Sequence, residues 1–132
     1  MLITIFGIFL IGHGLVHLLY AGQSRWLFEL RPGMTWPDGS WLFTKFLRNE
    51  STRLLACICL VLAALGFAAG GLGLLCRWDW WRYSTVFSSA FSALTFLMFW
   101  NCQFQAVDDQ GGVGVLINLA ILFVILVLNW PT

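Results

Sequence analysis

Apolar residues run almost unbroken over four stretches of the chain, residues 2–21, 54–75, 83–104 and 113–130. None shows the period-2 alternation of a membrane strand, which excludes a transmembrane barrel. A helix needs about 20 apolar residues to cross a ~30 Å hydrocarbon layer, and each stretch is close to that length. Backbone groups in lipid must pair within their own segment, so continuous apolar runs predict helices. The expected fold is an all-α integral membrane protein: one domain, residues 1–132, forming a four-helix transmembrane bundle. The first run has no basic residue before it, and three more follow. It reads as a retained helix rather than a signal peptide.

Small residues punctuate the runs. Gly66 and Gly70 form a Gly-x-x-x-Gly pair, Gly7 and Gly14 lie one heptad apart, and Ser88, Ser92 and Thr95 recur at helical spacing. Such residues let helices approach closely in lipid, so these positions predict helix–helix seams.

The loops are aromatic. Residues 76–83 hold Trp78, Trp80, Trp81 and Tyr83, which predicts a tight hairpin in the headgroup region. The first loop, 24–53, is longer and contains Trp26, Phe28, Trp36, Trp41, Phe43 and Phe46, broken by Pro32-Gly33 and Pro37-Asp38-Gly39. Ser40 is placed to cap a short helix over 41–47. That segment either anchors in the interface or folds over the bundle as a lid, with Trp36 or Trp41 above the helix ends. Asp108 and Asp109 precede the fourth run, where a helix N-terminus favours negative charge.

Composition agrees with the pattern. Of the 132 residues 60% are hydrophobic and 10% charged, against about 25% charged in soluble domains. The net charge of +1 offers no basic face for phosphates, which excludes nucleic acid as a partner. No Asp, Glu, Lys or Arg falls inside an apolar run, which argues against a proton pump or a small multidrug exporter built on a buried acid. The first loop carries five Lys/Arg and the second two, so the positive-inside rule puts the first and third loops in the cytoplasm and both termini outside. The expected location is a bacterial or archaeal plasma membrane.

The two histidines, His13 and His17, are four residues apart on one helix face, and Tyr20 extends the stripe. Counting the helical rise from Gly22, His17 lies about 7 Å deep and His13 about 13 Å. By the same ruler Cys57 is about 7 Å below Thr52, and Asn118 about 9 Å below Gly112. Less apolar groups thus gather in the half of the bundle beneath the first loop, and the other half reads as almost wholly apolar. An ionisable residue in a span is a candidate site by default. His13, His17, Tyr20 and Asn118, with Trp36 and Trp41 as a roof, form a candidate site for an apolar ligand such as a quinone, with a histidine donating to a carbonyl. A metal ion on His13 and His17 with Cys57 is a second reading. Two histidines on one face cannot clamp one haem iron, so haem would need a soft second ligand or a second chain. In the packing alternative the histidines bond to Asn118, serines or backbone carbonyls. The four cysteines include no Cys-x-x-Cys pair, which weighs against a thiol relay.

The segment Gly7-Ile-Phe-Leu-Ile-Gly-His13-Gly14-Leu-Val-His17-Leu18 resembles the opening helix of DoxX-like membrane proteins. Those proteins have a similar length and four spans, and often a His-Gly pair followed by a basic residue and Leu. Some are associated with quinone-linked oxidation of sulfur compounds. The resemblance carries over His13 and Gly14; His17 stands where the family more often has Lys. The expected role is a small membrane subunit or binding protein for an apolar ligand, with a quinone-linked redox role implied by the resemblance. The alternatives are a structural or assembly subunit in a complex or homo-oligomer, and a metal- or haem-bearing electron-transfer subunit.

Overall fold

The computed structural model describes residues 1–104 and 110–132. Among them are four α-helices and no strand: α1 (Leu2–Ser24), α2 (Asn49–Leu75), α3 (Trp81–Met98) and α4 (Gly112–Leu122), the last continuing as a π-helical turn, Phe123–Val127. Helices α1 and α2 are long and apolar enough to cross a membrane, and Gly112–Val127 is a shorter apolar helix. The expected capping by Asp108 and Asp109 lies outside the described residues.

Neighbours in sequence are neighbours in space: α1 packs on α2, α2 on α3 and α3 on α4, whereas α1 and α4 make no comparably close approach. Small residues set the first two seams. A methyl group on Gly71 would fall 2.6 Å from the Gly7 carbonyl oxygen, and one on Gly14 would fall 2.9 Å from that of Ala64. Across the other seam, Gly66 faces the Ser88 hydroxyl and Gly70 the Thr85 hydroxyl, with no room for a β-carbon. Close approach multiplies the individually small dispersion contacts that hold helices together in an apolar medium.

The flanks of the bundle are apolar, and its interior holds polar side chains beside an apolar core that includes Leu10, Leu60, Phe67 and Phe99. Ile5, Ile8, Leu15, Leu62, Leu65, Phe87, Leu94, Leu116 and Leu119 are exposed on its flanks. Buried inside are His13, His17, Thr85, Ser88, Ser89, Ser92, Thr95 and Asn118. Thr85 and Thr95 donate to carbonyls four residues back in their own helix. The half of the interior toward the second loop is therefore not almost wholly apolar, contrary to the expectation from the sequence, because Thr85, Ser88 and Ser89 are buried there. A strip of α3 hydroxyls runs the length of the bundle.

Two elements differ from expectation. The helix α3 stops at Met98 instead of reaching residue 104, because the first loop captures its last carbonyls. Ser40 Oγ donates to Met98 (2.7 Å), Trp41 Nε1 to Leu97 (2.7 Å) and Trp41 N to Trp100 (2.8 Å). The first two are acceptors a helix C-terminus leaves unpaired, and Trp100 lies just beyond the helix. The expected helix over 41–47 is a single 3-10 turn, Phe43–Lys45, with Ser40 Oγ accepting from Phe43 N at 3.2 Å. Held at Ser40 and Trp41, the segment is too short to propagate a helix.

Gly111, just before α4, has φ +80°. The Phe96 ring occupies the space a β-carbon would need there, so both backbone and packing demand glycine.

Candidate functional site

The first loop is bolted to the helices by buried polar groups. Arg53, 3% exposed, sends Nε to Asp38 Oδ1 (2.7 Å), Nη1 to the carbonyls of Gln23 and Ser24 (3.1 Å each), and Nη2 to the Thr35 carbonyl (2.7 Å). Its guanidinium also lies 3.5 Å from the centre of the Trp26 ring. Gln23 is fully buried; its amide donates to the Met34 carbonyl and accepts from Leu30 N, both at 2.9 Å. The sequence reading assigned Arg53 and Gln23 no role. The available signal was an arginine and a glutamine flanking apolar runs within reach of a proline- and glycine-broken loop.

This anchoring places Trp36. The side chain is buried, and its ring meets Tyr20 (5.5 Å), Phe96 (5.5 Å) and Phe99 (6.2 Å) between centroids. Phe43 stacks on Phe99 at 4.6 Å. The first loop is thus a roof over one end of the bundle. Trp41 sits apart, 44% exposed at the end of α3, and does not share the roof position.

Beneath the roof, α1, α3 and α4 bring four side chains into one chain of hydrogen bonds. His17 Nδ1 donates to the His13 carbonyl (2.8 Å), which has no hydrogen to give. With a neutral ring, His17 Nε2 then accepts from Ser92 Oγ (2.6 Å). Ser92 Oγ in turn accepts from Asn118 Nδ2 (2.8 Å), and Asn118 Oδ1 accepts from His13 Nε2 (2.8 Å). A protonated His17 would leave the Ser92 hydroxyl hydrogen without an acceptor. Neutral rings give each of these bonds one donor and one acceptor. The packing alternative offered serines, Asn118 and backbone carbonyls as partners of the histidines; which serine pairs with which ring is given by the fold.

The His13–Asn118 bond spans the loosest junction, between α1 and α4. A cleft of about 300 Å³ opens there. His13, His17 and Tyr20 form one wall and Val113, Gly114 and Ile117 the other, with Phe96 at the back and Arg31 at the first-loop end. Val16 and Val113, on its rims, are exposed on the flank, so the cleft opens sideways.

His13, His17, Tyr20 and Asn118 are therefore brought together, with Trp36 one layer above through Tyr20 and Phe96. Cys57 is not brought to the histidines. It packs against the apolar cluster around Trp36, Ala56, Leu60 and Phe99. Among the described residues no three His, Cys, Asp or Glu side chains converge as a metal-binding group. His17 has both ring nitrogens in hydrogen bonds and His13 has one, so the pair does not turn two lone pairs toward one ion.

The chain matches no protein-family model, no curated protein and no solved structure.

Proposed function

We propose that this chain is a four-span integral membrane protein that binds an apolar, ring-bearing ligand in the lateral cleft between α1 and α4. The observation that carries the reading is the cleft itself: apolar walls, a histidine at the inner end and an opening on the apolar flank. Its volume is at the small end of ligand sites, about 300–1,000 Å³, which suits one ring with its tail left in lipid. The exposed apolar flanks support the membrane reading, because apolar surface of this extent has no stable partner in water. The likeness of the His13-Gly14 segment to DoxX-like proteins supports a quinone-type ligand and a redox-linked setting.

A second reading has its own observation. The closed hydrogen-bond network makes His13, His17, Ser92 and Asn118 sufficient to tie α1, α3 and α4 together without a ligand, as a structural subunit would need.

Calorimetric titration of the purified protein in nanodiscs with 4-octylphenol separates the two. Gly114 stands outside the network, and a β-carbon there meets only Phe96, at 3.7 Å. Gly114→Leu should fill the cleft and abolish binding while the bundle stays assembled. His17→Ala should lower stability by about 1–2 kcal/mol through two lost bonds under either reading. Absence of saturable binding to the unaltered protein leaves only the structural reading.

A further inference from the structure

The hydrogen-bond network determines more than helix packing. Its direction is set at one end by the His13 carbonyl, which can only accept. Each later bond follows in turn, and the last places the His13 proton on Nε2, donated to Asn118. The two histidines are thus held in opposite tautomers, His17 protonated on Nδ1 and His13 on Nε2. What remains of His13 is Nδ1, a lone pair with no protein partner among the described residues. His17 has no ring nitrogen left for a ligand.

We infer that the cleft selects a ligand whose ring carries a hydroxyl hydrogen, donated to His13 Nδ1, over one that offers only a carbonyl or ether oxygen. The inference rests on the ligand-binding reading proposed above and reverses the hydrogen-bond role expected from the sequence, in which a histidine donates to a carbonyl. A carbonyl oxygen brought to Nδ1 would set two lone pairs against each other, and turning the ring over would break the bond to Asn118. A hydroxyl completes the unpaired nitrogen at no such cost. The ligand class is a phenol, or the reduced, quinol form of a quinone in preference to its oxidised form. The wall opposite is apolar and accepts the ring face; Tyr20 lies two turns beyond His13 along α1, about 10 Å of helix rise, and Arg31 belongs to the first loop.

Matched ligands test this in nanodiscs. 4-Octylphenol should bind at least tenfold more tightly than 4-octylanisole, its methyl ether, and 4-octylbenzaldehyde should bind no better than the ether. His13→Leu should bring all three to equal affinity. Equal binding of phenol and ether by the unaltered protein overturns the donor inference and leaves the cleft as a ligand site. Failure of all three to bind overturns the ligand-binding reading itself. Nitrogen-15 NMR of labelled histidines needs neither a ligand nor a variant that might misassemble. It should find His13 protonated on Nε2 and His17 on Nδ1, and any other pair of tautomers overturns the inference.

Discussion

Arg53 shows how much one residue does at the first-loop end. It is the first charged group before a long apolar run, a position where arginine ordinarily snorkels to the headgroups. Here it turns inward and makes four hydrogen bonds to the chain, one of them to Asp38. Its planar fork reaches carbonyls from both the end of α1 and the first loop, a geometry lysine cannot reproduce. Removing it would leave the Ser24 carbonyl unpaired, take one of two donors from the Gln23 and Thr35 carbonyls, and leave Asp38 without its ion-pair partner. Breaking a buried pair typically costs about 3–5 kcal/mol, and the partial exposure of Asp38 puts this case at the lower end. Arg53→Met should therefore release the roof. Trypsin should cut after Lys45 or Arg48 in the variant under conditions where the unaltered protein is resistant. Arg53→Lys should resemble Arg53→Met rather than the unaltered protein. Equal resistance of all three would show that the aromatic contacts of Trp36 and Phe43 hold the loop unaided.

At the scale of elements, glycine has two unlike uses in these helices. Gly70 lies where α2 meets α3, and its missing side chain is filled by Thr85. Gly12, on α1, has nothing within 4 Å of where a β-carbon would sit. The same substitution should act oppositely at the two sites. Gly70→Ala should destabilise by about 1–3 kcal/mol, the usual cost of overpacking a tight contact. Gly12→Ala should leave stability unchanged or raise it by up to about 1 kcal/mol, since alanine restricts the unfolded chain and favours the helix. Unfolding in mixed micelles, followed by circular dichroism, measures both. The sequence singled out Gly66 and Gly70 by their spacing, and both stand at the seam. It contained no comparable signal for Gly71, which faces the Gly7 carbonyl and the Ile11 side chain of α1.

For the whole molecule, the distribution of charge is the basis of the proposed orientation. The proposed four spans place the first and third loops on one side, and the first loop carries most of the basic residues. At the opposite end, Arg82 donates to Asn129 Oδ1 (2.9 Å) and the Pro131 carbonyl (3.3 Å), and Trp130 meets Phe6 at 5.2 Å. The two chain ends therefore share a face with the second loop, whose Trp78 and Trp80 stack at 5.3 Å. A reporter active only outside the cytoplasm should work when fused after Thr132, and one active only in the cytoplasm should work when inserted near Arg31. The reverse pattern would overturn the orientation, and activity of both reporters at one site would overturn the four-span topology.

Hydropathy is a local property, and what depends on it was legible from residue order alone. That covers the all-helical class, the neighbourhood of each helix, the apolar length of α1 and α2, and the shared face of His13 and His17. Where α3 ends was not legible, because Ser40 and Trp41, which take its carbonyls, lie 56–58 residues away in the chain. For the same reason the sequence offered a helix over 41–47 where the fold retains one 3-10 turn. Nor could spacing choose among the partners open to the histidines. Asn118 is 105 residues from His13 and Ser92 is 75 from His17, and only their convergence under the roof makes one network of them. The direction of that network starts from a local contact, the His13 carbonyl one turn back from His17, but only the tertiary convergence of Ser92 and Asn118 carries it on to His13 and leaves a lone pair there.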